Sequence, residues 1–432
     1  MKKIMLLGLM LVSLFTGCQN EDEIDPSEKP DARLNKTLAD YKTLLTGAEN
    51  GWTAVLYPDG GAAYSFLIKF NANDRVSMTS DINATTAGTA FESTYRLKAL
   101  QRPALLFDTY SYLHILTDPD ETKSNGERGA GKYSDFEFSF ESATPETITL
   151  TGNLQGSRMV LTKATAADAA NYIKNIAETA KAFESINSFT TYFKRLTIGN
   201  NAVDLSVDSN LRTIAFTYSE GNTLRTVTVS YYYTANGVTL LEQVVIGGVT
   251  INSLNNIQFN ATNRRINFTV NNVAGTIQES AQPARIDLQA PQRFFNNPPS
   301  RGYWISEFGF TVNGVQDALN ISSIPNFYFL LYYPKYNTSG TTVYDRLGFI
   351  LLNNGSLGYG AYGPATVPSF TTDGRIRFAN FGNFGATPAQ YATAINGTRD
   401  LWIEPSGFYV IQTALGYDLV SAKDAKAWIS FE

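Results

Sequence analysis

The chain has 432 residues and a net charge of −5; 43% of its residues are hydrophobic and only 17% charged, with one cysteine and one histidine. A chain this long and this apolar can bury two or three domain cores, and its acidic balance lacks the basic footprint that nucleic acid binding requires. One cysteine allows no internal disulfide, and one His beside it leaves too few ligands for a usual zinc site, so no metal or cofactor is expected.

Met1–Lys3 precede the apolar run IMLLGLMLVSLF, Ile4–Phe15. A bilayer-crossing helix needs about 20 apolar residues. The shorter run therefore reads as a signal peptide over residues 1–17. The small residues Thr16 and Gly17 precede Cys18, which suits lipidation of the Cys18 thiol, although Phe15 is bulkier than usual at its position. Two or more acyl chains anchor a protein stably in a membrane. Residues 18–33 continue as an acidic, proline-containing stretch that reads as a disordered tether. Acid directly behind a lipidated cysteine resembles the surface-export signal of Bacteroidota lipoproteins. That resemblance implies a lipid-anchored protein of the outer membrane, exposed on the cell surface. The plainer alternative is a solvated spacer on a periplasmic protein.

The fold reads as mainly β with a few helices (α+β): antiparallel meanders, each preceded by a helix, in two or three tandem domains. Leu34, Leu38, Tyr41 and Leu45 fall at helical spacing, and Gly47 and Gly51 end that helix. Trp52 opens a strand series that runs to Ala164 with short turns, giving a first domain over 34–164. A second helix over about 166–186 follows, with a Thr165/Asp168 capping box. Strands resume to close a second domain over 165–280, in which Asn236-Gly237 reads as a hairpin turn. Helices between the strand series argue against a transmembrane barrel. Residues 281–300 contain four prolines and read as a linker. The last unit, 301–432, is rich in Gly, Asn and aromatics, and Thr387-Pro388 starts a short helix in it.

No catalytic motif stands out, and the chain reads as a non-enzyme. His114 lies in TYSYLHIL, where alternation would place Tyr110, Tyr112 and His114 on one face of a strand, as a hydrogen-bonded structural group or a ligand contact. No GxSxG elbow precedes His114, and a lipidated Cys18 is not a nucleophile. Asp135 and Glu137 would share a solvent-facing strand face, with Phe136 and Phe138 on the core side. DPDE, Asp118–Glu121, lacks the spacing of a calcium loop and reads as an acidic turn. The best binding candidates are YYY, Tyr231, Tyr232 and Tyr233, and NFYFLLYYPKY over 326–336. An aromatic ring flanked by amides can cover the apolar face of a sugar, although aromatics also simply favour strands.

Over Leu34–Ala164 the chain resembles a family of Bacteroidota lipoproteins known as domain of unknown function 4302. The matching pieces are YKTLL followed by NGW (41–52), FDTYSYLH (107–114), DPD (118–120), DFEF (135–138) and ITLTGNLQGSRMVL. That family supplies no catalytic residues. Its genes often accompany outer-membrane transporters for glycans or peptides, which implies a non-catalytic accessory that binds extracellular glycan or peptide beside such a transporter. The rival expectations are a structural subunit of an outer-membrane complex or fimbria, and a hydrolase using paired carboxylates.

Overall fold

The computed structural model describes residues 30–432 apart from Asn222. The leader, Cys18 and the first part of the acidic tether lie outside the described residues. Among the described residues no helix is long and apolar enough to cross a membrane. The chain divides into two compact units, one ending at Tyr172 and the other running from Ile173 to Glu432 with the short stretch Ala62–Tyr64.

The first helix spans Pro30–Thr46, four residues earlier than Leu34, with proline at its first position, where the missing N–H costs nothing. Eight antiparallel strands follow between Trp52 and Lys163, and they form a closed barrel. Closure pairs Trp52–Tyr57 with Arg158–Lys163, setting Trp52 opposite Lys163. Every second residue of Trp52–Tyr57 is buried, which is the period-2 alternation that fills a small barrel with side chains. Trp52, Phe66, Phe107 and Phe138 are fully buried there. The helix is held to the barrel by Tyr41, stacked 3.9 Å from Phe140, and by the Trp52 indole N–H, which donates to the Leu45 carbonyl at 3.0 Å.

The same plan recurs. Helix Ala166–Glu184 carries the expected capping box, since Asp168 accepts from the Thr165 N–H and Thr165 Oγ1 accepts from the Asp168 N–H. Eight strands between Phe193 and Ser280 then close by pairing Phe193–Ile198 with Val273–Ser280. Phe183, near the end of the helix, packs edge-on to Tyr231 and Tyr233.

The last unit, expected as a β-rich domain, also bends into a ring. Its sheet begins with Trp304–Ser306, paired to Phe327–Ser339, and ends with Phe310–Val312, paired to Ala427–Phe431. Those two ends are successive parts of one bulged strand. Ile305 and Glu432 exchange two backbone hydrogen bonds of 3.0 Å, which joins the last strand to the first. A helix precedes this ring too. Ala290–Asn296 lies inside the stretch read as a linker, because Pro291 sits in its first turn, where proline is tolerated rather than disruptive. Phe294 from this helix is fully buried among Trp304, Tyr332 and Tyr417. The Trp304 indole N–H donates to the Phe294 carbonyl at 3.0 Å, repeating the Trp52–Leu45 contact. A later helix, Ala392–Trp402, adds Trp402, stacked 3.9 Å from Phe378. The second barrel and the third ring share a buried contact: Phe193 packs with Tyr409, Val420 and Ala425, and Tyr192 donates to Asp418 at 2.6 Å.

Candidate functional site

The residues singled out from sequence fall in three places. TYSYLHIL is not a strand. Tyr112–Thr117 is a short helix, because Ser111 caps it and its N–H donates to His114 Nδ1 at 3.1 Å. Alternation of aromatics had suggested a strand; the Ser-x-x-His cap decides for a helix. Tyr112 is buried, Tyr110 is exposed, and the His114 ring lies between Tyr110 and Phe136, 5.7 and 4.4 Å away. His114 is therefore held as a neutral acceptor, and burial keeps its pKa below the usual 6.5. The unfolded chain then takes up a proton first as pH falls. The stabilisation from neutral His114 is present above about pH 6.5 and is lost as pH falls through the lower folded value. Thermal melts should show wild type losing more stability than His114→Gln between pH 7 and 5, since Gln keeps an acceptor without titrating. Identical pH profiles would contradict this role.

Tyr231 and Tyr233 are core residues of the second barrel, and Tyr232 alone of the three points outward. Tyr233 donates to Glu184 at 2.8 Å and shares a 3.1 Å hydrogen bond with Tyr231, tying the helix to the barrel. Burial pushes the Tyr231 phenol up to about 12 and raises Tyr233 as well, so both stay neutral. Asp135 departs from its expected place on a solvent-facing strand. It precedes the strand Glu137–Ala143 and is buried, accepting from the N–H groups of Leu154, Gln155 and Ser157 and from the Ser157 hydroxyl. Asp120 caps the short helix Glu121–Ser124, so DPDE is an acidic turn.

The third ring brings together what none of these segments offers. Along Thr342–Asn353 residues 345–350 are all buried, Leu347 and Phe349 enter the ring core, and successive side chains of a strand point to opposite faces. Asp345 points inward, accepting from the Tyr332 hydroxyl and the Lys335 N–H at 2.7 Å each, and burial pushes its pKa up to about 6. Arg346 points outward, yet it is only 6% exposed, because aromatic rings roof it. Its guanidinium carbon lies 3.8 Å from the centre of the Tyr359 ring, 4.0 Å from Phe384 and 5.2 Å from Tyr336. It donates to the Tyr336 hydroxyl at 3.1 Å and to the Gly360 carbonyl at 3.3 Å.

Local backbone builds this roof. Lys335 adopts φ +55° at an irregularity in the Phe327–Ser339 pairing, just before Tyr336. Gly348, two residues after Arg346 on the same face, leaves room for Tyr359: a Cβ there would stand 3.1 Å from the tyrosine ring. The rings continue outward from the arginine. Tyr336 contacts Tyr333 and Tyr344, and Tyr344 stacks on Phe381 at 5.2 Å. Tyr359 and Phe381 remain 41% and 43% exposed. One face of Tyr359 is taken by Arg346, so its open surface is a rigidly backed platform. Of this cluster, NFYFLLYYPKY flagged Tyr333 and Tyr336 only. Arg346, Tyr359, Phe381 and Phe384 come from other strands and loops that pairing alone brings near.

A second surface feature lies at the bulge between the two parts of the first strand. Two adjoining depressions of about 300 and 410 Å³ share Ile305, Glu307 and Phe308. Asp418 and Glu432 line the first of them, so their chemistry is carboxylate and apolar, without the ring cluster found around Arg346.

Among the curated proteins none matches the chain. One similar solved structure is the octameric penicillin-binding protein homologue from Pyrococcus abyssi, at 10% identity with a TM-score of 0.15. That likeness covers 35% of this chain and 37% of that one, so the chain spans little more than a third of its length. A family model described as Domain of unknown function (DUF4302) matches residues 24–260. The match takes in the first barrel and six strands of the second, and ends before the Arg346 cluster. It spans more than half of the 432 residues, and the protein belongs to that family.

Proposed function

We propose that the protein is a surface-exposed outer-membrane lipoprotein, anchored through Cys18, that binds extracellular glycan without chemically changing it and serves an adjacent nutrient-uptake transporter. The anchor and location rest on the apolar leader, the small residues before Cys18 and the acidic stretch behind it. The observation that carries binding is the ring cluster around Arg346, with Tyr359 and Phe381 open to solvent over a fixed base. Flat, exposed, immobilised rings suit the apolar face of a sugar. Their ordering cost is already met in the free protein, which favours affinity.

Affinity electrophoresis and calorimetry with a panel of plant, algal and host polysaccharides test this. At least one polysaccharide should retard the full chain. The double variant Tyr359→Ala/Phe381→Ala should bind it at least tenfold more weakly, about 1.4 kcal/mol, with an unchanged melting temperature. Retardation by none of the panel, or full binding by the double variant, would overturn the reading.

A further inference from the structure

Among the described residues Arg346 is a buried cation with no carboxylate in an ion pair with it. Among the described residues its guanidinium meets a phenol, a carbonyl and ring faces, and its Nε has no hydrogen-bond partner. Its sequence neighbour Asp345 is committed to the ring interior by Tyr332 and the Lys335 N–H. The Tyr359 ring meets the Arg346 guanidinium at 3.8 Å and the Tyr336 ring at 6.2 Å, and Arg301 sits 5.6 Å from the centre of the Tyr303 ring. Buried charge normally comes paired. Here the local field stays positive on a chain whose net charge is −5, so the platform is a positive spot on an acidic protein.

The rings transmit that field. An aromatic face is electron-rich and attracts a cation. On Tyr359 and Phe384 the inner face already holds the guanidinium, which draws electron density inward. The outer face is then a poorer partner for the C–H groups of a neutral sugar and a better one for a sugar carrying negative charge. Resting on the glycan-binding reading above, we propose that the platform over Arg346 selects acidic oligosaccharides, with sugar rings on Tyr359 and Phe381 and their carboxylates attracted, through the rings, by the charge of Arg346 beneath them.

Calorimetry on the full chain tests this with oligosaccharides of polygalacturonate, alginate and hyaluronan, each beside its carboxyl-reduced, neutral form. At least one acid should bind tenfold or more tightly than its reduced form, and that advantage should shrink at least threefold between 50 and 500 mM NaCl. Arg346→Met keeps the stem volume without the charge and should make acid and reduced forms bind alike. Should that buried change prevent folding, Arg301→Gln, at an exposed position, should lower the salt dependence, with its folding checked by a melting curve because Arg301 also donates to the Tyr303 and Glu432 carbonyls. Reduced forms that bind as well as the acids, or neutral polysaccharides as the sole ligands, would overturn the selectivity and leave glycan binding standing. Binding to none, acidic or neutral, removes both. Poly-L-glutamate that binds as tightly as the acidic sugars would also overturn the proposal, since a carboxylate alone would then suffice.

Discussion

Phe294→Ala should lower the stability of the third ring by about 4 kcal/mol, the usual cost of removing a fully buried phenylalanine from a core that cannot collapse around the gap. Phe294 is fully buried and stacks with Trp304 and Tyr332, at 5.3 Å from each, while also meeting Tyr417 and Phe431. It therefore occupies the junction between the helix Ala290–Asn296 and the first, second and last strands of the ring. Its backbone carbonyl also holds the Trp304 indole. Loss of the side chain should loosen that anchor and free the strand end that closes the sheet. Chemical denaturation of the full chain, followed by tryptophan fluorescence, measures the effect. A shift below 1 kcal/mol would show that the helix is an appendage and that the ring closes without it.

Asp135→Ala should destabilise the first barrel by about 3 to 5 kcal/mol. The carboxylate accepts from three backbone N–H groups and the Ser157 hydroxyl, and it is almost fully buried. Alanine would leave those donors buried and unsatisfied, each costing about 1 to 3 kcal/mol, partly offset where water enters. Asp135→Asn should cost less, because one oxygen can still accept. Packing here is close: a Cβ on Gly152 would stand 1.9 Å from Asp135 Oδ2, so Gly152→Ala should displace the carboxylate and produce a similar loss. Urea melts of the three variants measure this. Equal stability of Asp135→Ala and wild type would contradict the assigned role.

Much of the fold was legible because it is local. Helical spacing at Leu38, Tyr41 and Leu45, the Thr165–Asp168 cap and alternation in the strands all have short sequence range, and each element formed. Barrel closure joins Trp52 to Lys163, and no local pattern announces a partner so distant. Some signals were present but carried another meaning. The Asn236-Gly237 hairpin exists, but its pairing sets Thr234 opposite Gly237, so the loop is Ala235-Asn236. The glycine is required because a Cβ would fall 1.9 Å from the Leu254 carbonyl of the next strand. Proline density over 281–300 reads as a linker, whereas Pro291 helps to start a helix. Aromatic richness pointed to binding surface at Tyr231–Tyr233, where Tyr231 and Tyr233 serve the core and Tyr232 alone points outward. The platform instead assembles around Arg346, whose importance depends on which rings the sheet carries to it.

Hydroxyl-radical footprinting of the full chain, with and without a saturating glycan, tests the central claim most directly. Binding through the third ring should protect Tyr359, Phe381 and Tyr344 and leave exposed Tyr110 and Phe308 as reactive as before. Protection centred on Phe308 and Tyr328, or on Tyr110, with Tyr359 and Phe381 unchanged, would place the ligand elsewhere and contradict the account.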